Sequence, residues 1–147
     1  MSRFFDLHEA EELIPALETL LNSAIRNKKK LESLDAELGG LSQRILMRGG
    51  ILVDYGKAAG LKKEKDSSVN ELRDALLEIE SSGCLIKDLE IGLIDFPCMM
   101  DDREIYLCWK LGEPNIRFWH NTDEGFQGRK PIDQDALPGR DEDSRPN

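Results

Sequence analysis

The most constraining feature of this chain is a heptad of apolar residues that begins near Leu7 and continues to Met47. One line of it is Ala10, Leu17, Ala24, Leu31, Leu38 and Ile45, and the other is Leu13, Leu20, Asn27, Leu34 and Leu41. Asn27 is the single polar residue in either line. Alternating steps of three and four keep one stripe of a helix turned toward a partner helix over many turns. A continuous helix of this length would span about 60 Å at 1.5 Å per residue. Asp6 with Glu9 three residues on resembles a capping box, and Phe5 supplies the apolar residue before it. Pro15 lacks a backbone N–H and should bend the helix near its start. Gly39-Gly40 weakens it again, by about 1 kcal/mol per glycine relative to alanine.

Arg48-Gly49-Gly50 reads as a helix stop, with a cationic last turn followed by residues that tolerate a left-handed backbone. Asp54 offers an N-cap for a second helix ending near Ser82, with Gly83 as its stop. Its seam runs through Tyr55, Ala58, Leu61, Val69, Leu72, Leu76 and Ile79. A short link between two such helices implies antiparallel packing, so residues 7–82 form a helical hairpin. After Gly83 the apolar period shortens to about two residues. Cys84–Lys87, Leu93–Phe96, Ile105–Trp109 and Ile116–His120 are short, rich in aromatic and β-branched residues, and separated by turn residues. Residues 84–120 therefore read as an antiparallel meander of three to four strands, with Arg3-Phe4-Phe5 a candidate edge strand. A sheet this small needs a buried face, and the hairpin can provide it. The predicted class is α+β, a long antiparallel helical hairpin packed on a small meander.

Composition narrows the function. With 147 residues the chain suits one domain, here 1–130, followed by a flexible acidic tail over 131–147. No apolar run approaches the roughly 18–20 residues of a membrane span, so no membrane partner is expected. The first residues lack a secretory apolar region, and the three cysteines include no CxxC pair; both features point to the cytoplasm. A net charge of −9 weighs against nucleic acid. Lys28-Lys29-Lys30, the compact basic run, reads as a solvated helix face.

Several segments together resemble a known family. They are Gly83-Cys84-Leu85-Ile86-Lys87-Asp88-Leu89, Gly92-Leu93-Ile94-Asp95-Phe96-Pro97, Leu107-Cys108-Trp109-Lys110-Leu111-Gly112-Glu113-Pro114 and Phe118-Trp119-His120. Gly125-Phe126 and Gly128-Arg129 extend the match, and Asp6-Leu7, Glu11 to Pro15 and Gly49-Gly50 add a pattern in the helical part. The resemblance is to the bacterial family catalogued as domain of unknown function 2203, over about Phe5 to Ile132. It implies a small cytoplasmic α+β protein. It implies no activity, and no site residue is carried over from it.

The residues themselves suggest where a site would sit. With Lys110 opposite Ile116, Cys108 faces Phe118 and Tyr106 faces His120 on one side of the sheet. Trp109 then faces Arg117 on the other, in reach of a cation–π contact. Asp95 interrupts an apolar strand and, if buried, needs a partner such as Lys87, Arg103, Arg117 or Arg129. Glu113, His120, Glu124 and Arg129 gather charge near one end of the sheet. His120, Cys108, Glu113, Asp95 and Asp123 are metal-ligand types. Close ligand pairs of the C-x2-4-C or H-x3-5-H kind are missing, however, and Cys108 and His120 read as too far apart without a bend. No metal or cofactor is therefore predicted. Cys108 reads as a small apolar core residue rather than a nucleophile. No GxGxxG, Walker A, HExxH, GxSxG or EF-hand pattern occurs.

Two functional expectations follow. The first is a non-enzymatic interaction or scaffold protein, a homodimer through helix seams with Asn27 helping to set register, open to an unknown protein partner. The alternative is a metal- or small-ligand-dependent protein such as a hydrolase, using Asp95, Glu113, His120 and Arg129 as ligand-binding residues. Convergence of those four side chains on one pocket separates the two.

Overall fold

A computed structural model describes residues 3–132. Most of the expected tail, residues 133–147, lies outside them. Among the described residues two compact units are present, one made by residues 3–21 together with 77–132, the other by Asn22–Leu76.

In the first unit, α1 (Leu7–Glu12) opens on the capping box foreseen at Asp6 and Glu9. The Asp6 carboxylate accepts the Glu9 N–H at 2.8 Å, and the Glu9 carboxylate accepts the Asp6 N–H at 3.1 Å. These two bonds satisfy donors that a helix start leaves free. The chain then breaks at Leu13 and resumes as α2 (Ile14–Arg48). Pro15 stands in the first turn of this second helix, where its missing N–H costs nothing, so the expected bend is a boundary between two helices. Gly39-Gly40 leaves no break, because α2 runs through both.

The sheet has five strands, one or two more than expected: β1 (Leu85–Asp88), β2 (Leu93–Met100), β3 (Arg103–Lys110), β4 (Phe118–Asn121) and β5 (Lys130–Pro131). They lie in chain order and every pairing is antiparallel, a meander. Arg3–Phe5 is not a strand; Phe5 contributes one backbone bond, donating its N–H to the Pro97 carbonyl at 2.7 Å. The turn between β2 and β3 places Asp101 and Asp102 at φ +51° and +61°. Two consecutive left-handed residues match the right-handed twist of a tight hairpin, and aspartate tolerates that backbone better than most residues.

One face of the sheet carries Ile94, Phe96 and Cys98 from β2 and Ile105, Leu107 and Trp109 from β3. All are fully buried against Phe5, Leu7, Ala10, Ile14, Leu17, Leu21, Ile79 and Cys84. Trp109 belongs to this core, and its Nε1 donates to the Glu113 carbonyl at 2.9 Å. The expected Trp109–Arg117 pairing is absent: Arg117 is exposed and donates to the Asn115 side chain. A tryptophan at the centre of an apolar face gains more by burial than by a surface cation.

The second unit is an antiparallel hairpin of α2 and α3 (Leu52–Ser81). The heptad positions that fall in this unit, from Ala24 to Ile45, are all buried or half-buried. On α3 the inward line is Ala58, Leu61, Lys65, Ser68, Leu72, Ala75 and Ile79, again in steps of three and four. Ser68 and Ala75, not Val69 and Leu76, are its most enclosed members in the middle. Lys65 reaches Asp35 of α2 at 2.7 Å. Gly49 ends α2 at φ +72°. The start of α3 differs from the expectation, since Asp54 sits inside the first turn and accepts the Ile51 N–H at 3.3 Å. Asn27 is buried within its own chain, where its amide donates to the Ser23 carbonyl at 2.9 Å. The seam is thus covered inside one chain and does not itself call for a second subunit. No helix among the described residues is long and apolar enough to cross a membrane.

Candidate functional site

The face of the sheet turned away from the core is built differently. β2 is buried on both faces from Leu93 to Cys98, so Asp95, one residue out of phase with Ile94 and Phe96, is enclosed on the opposite side. Cys108 pairs with it on β3, and Phe118 pairs with Cys108 on β4. Tyr106 pairs with His120 in the same register, as expected from the turn length. His120 is therefore a diagonal neighbour of Cys108, a separation that longer side chains bridge easily. The ligand-type atoms of Asp95, Cys108 and His120 all lie within 4.8 Å of one another. This overturns the expectation that Cys108 and His120 are too far apart; the pair is one diagonal step away, and no bend is needed.

All three residues are at most 2% exposed. The His120 Nε2 lies 3.0 Å from Asp95 Oδ1, and its Nδ1 lies 2.8 Å from the Asn121 carbonyl oxygen. A carbonyl only accepts, so Nδ1 carries a proton and donates it. A further proton then has to lie between Nε2 and the carboxylate, because two lone pairs would repel at that distance. Burial raises the Asp95 carboxyl above its ordinary range, opposed by His120, by a hydrogen bond from Cys108 and by the charge of Lys87. The Cys108 thiol is pushed up to about 12, first by burial and then by the neighbouring Asp95. A thiol held protonated and enclosed is a poor nucleophile, so proximity to His120 does not make a catalytic dyad.

The partner of Asp95 is thus a histidine rather than the Lys or Arg foreseen. Arg103 lies over the Trp119 ring, and Arg129 turns to Glu113. Glu113, in the turn after β3, accepts the Lys110 N–H at 2.7 Å and the Arg129 Nη2 at 2.8 Å on each oxygen. The Arg129 guanidinium stacks over Phe118 at 4.0 Å and lies 4.8 Å from the centre of the Phe126 ring. Its Nε is buried without a hydrogen-bond partner among the described residues. Glu124 ties Asn121 and Lys130, while Asp123 is exposed and apart.

The four candidate residues therefore form two couples, Asp95–His120 and Glu113–Arg129, and the Cys108 thiol senses the charge of both. They do not line one open pocket. A cleft of about 610 Å³ opens nearby, bordered by Arg3, Glu80, Lys87, Glu104 and Tyr106. Tyr106 joins it to the buried group, since its ring meets the His120 ring edge-on at 5.5 Å. Lys87 sits 4.8 Å over that same tyrosine ring. Aromatic and basic side chains, Tyr106 with Lys87 and Phe118 and Phe126 with Arg129, lie on this face.

A model of the uncharacterised conserved protein family DUF2203 matches residues 3–132. Among curated proteins and among solved structures, nothing matches the chain.

Proposed function

Since the chain belongs to the uncharacterised DUF2203 family, which brings no activity with it, we propose a non-enzymatic interaction protein working as a homodimer. The observation that carries this reading is the tip of the hairpin. Leu46, Met47, Ile51, Leu52, Val53 and Tyr55 are all exposed there, Leu46 and Leu52 by 85% and 86%. Scattered exposed apolar residues are ordinary, but six within ten positions of sequence make a patch of the kind that associates. From Arg44 to Lys63 the tip holds five cations and one carboxylate, Asp54. From Glu64 to Glu80, α3 holds six carboxylates and two cations, with Val69 and Leu77 exposed among them.

A second copy of this chain fits that surface. In an antiparallel pair, the cationic apolar tip of one hairpin lies on the acidic part of α3 in the other, and two-fold symmetry repeats the contact. Two tips meeting head-on would instead bring like charges together. The cytoplasm belongs to the same proposal, because a reducing compartment suits three buried free thiols. Light scattering at tens of micromolar tests it. The wild type should weigh twice 16.7 kDa, and Leu52→Asp, which alters an exposed side chain, should weigh 16.7 kDa. A wild-type chain of single mass at that concentration would end the proposal.

A second reading, a metal- or ligand-dependent protein, is favoured by one observation, the meeting of Asp95 and His120 at Cys108. A hydrolase acting through Asp95, Glu113, His120 and Arg129 together is not favoured, because the four pair off.

A further inference from the structure

We propose that Asp95, Cys108 and His120 form a binding site for one divalent transition-metal ion of the zinc class. The reading is independent of the dimer. Three different ligand types, a carboxylate, a sulfur and an imidazole, come from three adjacent strands to one buried point, with their donor atoms within 4.8 Å of one another. Around a tetrahedral zinc ion, bond lengths of about 2.0–2.3 Å set donor atoms roughly 3.3–3.7 Å apart. The Nε2–Oδ1 separation of 3.0 Å is already close to such an edge.

The second observation is the other side of the imidazole. Nδ1 is held by the Asn121 carbonyl at 2.8 Å, which directs Nε2 and its lone pair toward Asp95 and Cys108. Metal-bound histidines are oriented in this way by a carbonyl or carboxylate on the far nitrogen. Charge balance selects the ion. Binding replaces two protons, the thiol proton and the one shared by Asp95 and His120, with one dication. The buried group stays neutral, since a carboxylate and a thiolate offset the two positive charges and the imidazole adds none. A monovalent or trivalent ion would leave a net charge inside the protein, which is costly. A thiolate with an imidazole favours zinc-like ions over magnesium or calcium, which prefer all-oxygen shells. Three protein ligands leave a fourth position, and the Tyr106 edge of the 610 Å³ cleft is the side from which a water or small anion would reach it.

The test uses the full chain, dialysed against a chelator and titrated with Co²⁺ as a spectroscopic probe, then with Zn²⁺. One equivalent of Co²⁺ should produce the sulfur-to-cobalt charge-transfer absorption of a thiolate ligand, release two protons in weak buffer, and be displaced by Zn²⁺. Cys108→Ala, a small change at a buried thiol, should abolish the band while keeping a native circular dichroism spectrum. Its loss of affinity should exceed the roughly 10- to 100-fold that removal of a supporting contact costs. Cys98→Ala, which alters another buried thiol, should leave the titration unchanged. His120→Ala breaks a buried pair and is at risk of unfolding, so the cysteine pair carries the comparison. No charge-transfer band with the wild type, or a band that survives Cys108→Ala, would overturn the site and leave the triad a structural hydrogen-bond cluster.

Discussion

Replacing Glu113 by alanine is the perturbation with the clearest expected size. The wild-type carboxylate holds the Arg129 guanidinium and the Lys110 N–H at once. Arg129 is 11% exposed at its side chain and Glu113 21%, so the ion pair is mostly removed from water. Losing one partner of a fully buried pair costs about 3–5 kcal/mol because the other charge is stranded. Partial access of water at this site lowers the figure to about 2–4 kcal/mol, in which the lost Lys110 bond counts for about 1. With a urea slope of about 2 kcal/mol per molar, the midpoint should fall by about 1–2 M. Glu113→Gln keeps an acceptor for Lys110 and should cost about half as much. Adding Arg129→Met to Glu113→Ala removes the stranded charge and keeps an apolar chain on Phe118 and Phe126, so most of the loss should return. Equilibrium unfolding followed by tryptophan fluorescence measures all three. A loss below about 1 kcal/mol for Glu113→Ala, or no recovery in the double variant, would refute the argument that this couple holds the turn.

Two further outcomes are expected. Gly92 takes φ +69°, and a Cβ placed there would come within 2.5 Å of the Leu111 Cβ; Gly92→Ala should therefore cost about 2–4 kcal/mol in thermal or chemical unfolding. The Glu124 carboxyl is held down to about 2, first by its hydrogen bond from Lys130 and then by Asn121. Its contribution to stability is complete above the unfolded value near 4.5 and is lost as pH falls toward 2, so Glu124→Gln should flatten the acid side of the stability curve in that window.

The hairpin is legible because its signal is redundant: eleven positions from Ala10 to Ile45 repeat in steps of three and four across α1 and α2, and an error at any one of them changes nothing. The α3 seam is less legible because its central members, Ser68 and Ala75, are too small or too polar to register as apolar. β2 continues four residues past Phe96, although Pro97 suggests a stop. β1 pairs no further than Asp95, and at Pro97 the edge of β2 receives the Phe5 N–H on its carbonyl, a contact that asks for no N–H from the proline. β5 is two residues with a proline and carries no strand signal of its own.

The site was half legible. The register of β3 and β4 follows from the turn length, which is why Cys108 opposite Phe118 and Tyr106 opposite His120 were correctly placed. A need for a partner at Asp95 was also visible, since a carboxylate in an apolar strand cannot stay alone. What could not be read was which partner would arrive. His120 directly follows the aromatic pair Phe118-Trp119 on β4, and its reach to Asp95 crosses the intervening strand β3. The diagonal distance on that face was the signal that would have revealed the triad.

The central claim, docking of the hairpin tip on α3 of a second copy, is tested most directly by exchanging the charges. One variant carries Arg48→Glu and Lys57→Glu at the tip; another carries Asp74→Lys and Glu78→Lys on α3. Each alone cancels the net charge of one surface in both contacts, from +4 to 0 at the tip or from −4 to 0 on α3, and should sediment at 16.7 kDa. Mixed in equal amounts, they restore attraction at both contacts and should sediment at twice that mass. A mixture that stays at single-chain mass, or variants that dimerise alone as the wild type does, would contradict the docking arrangement.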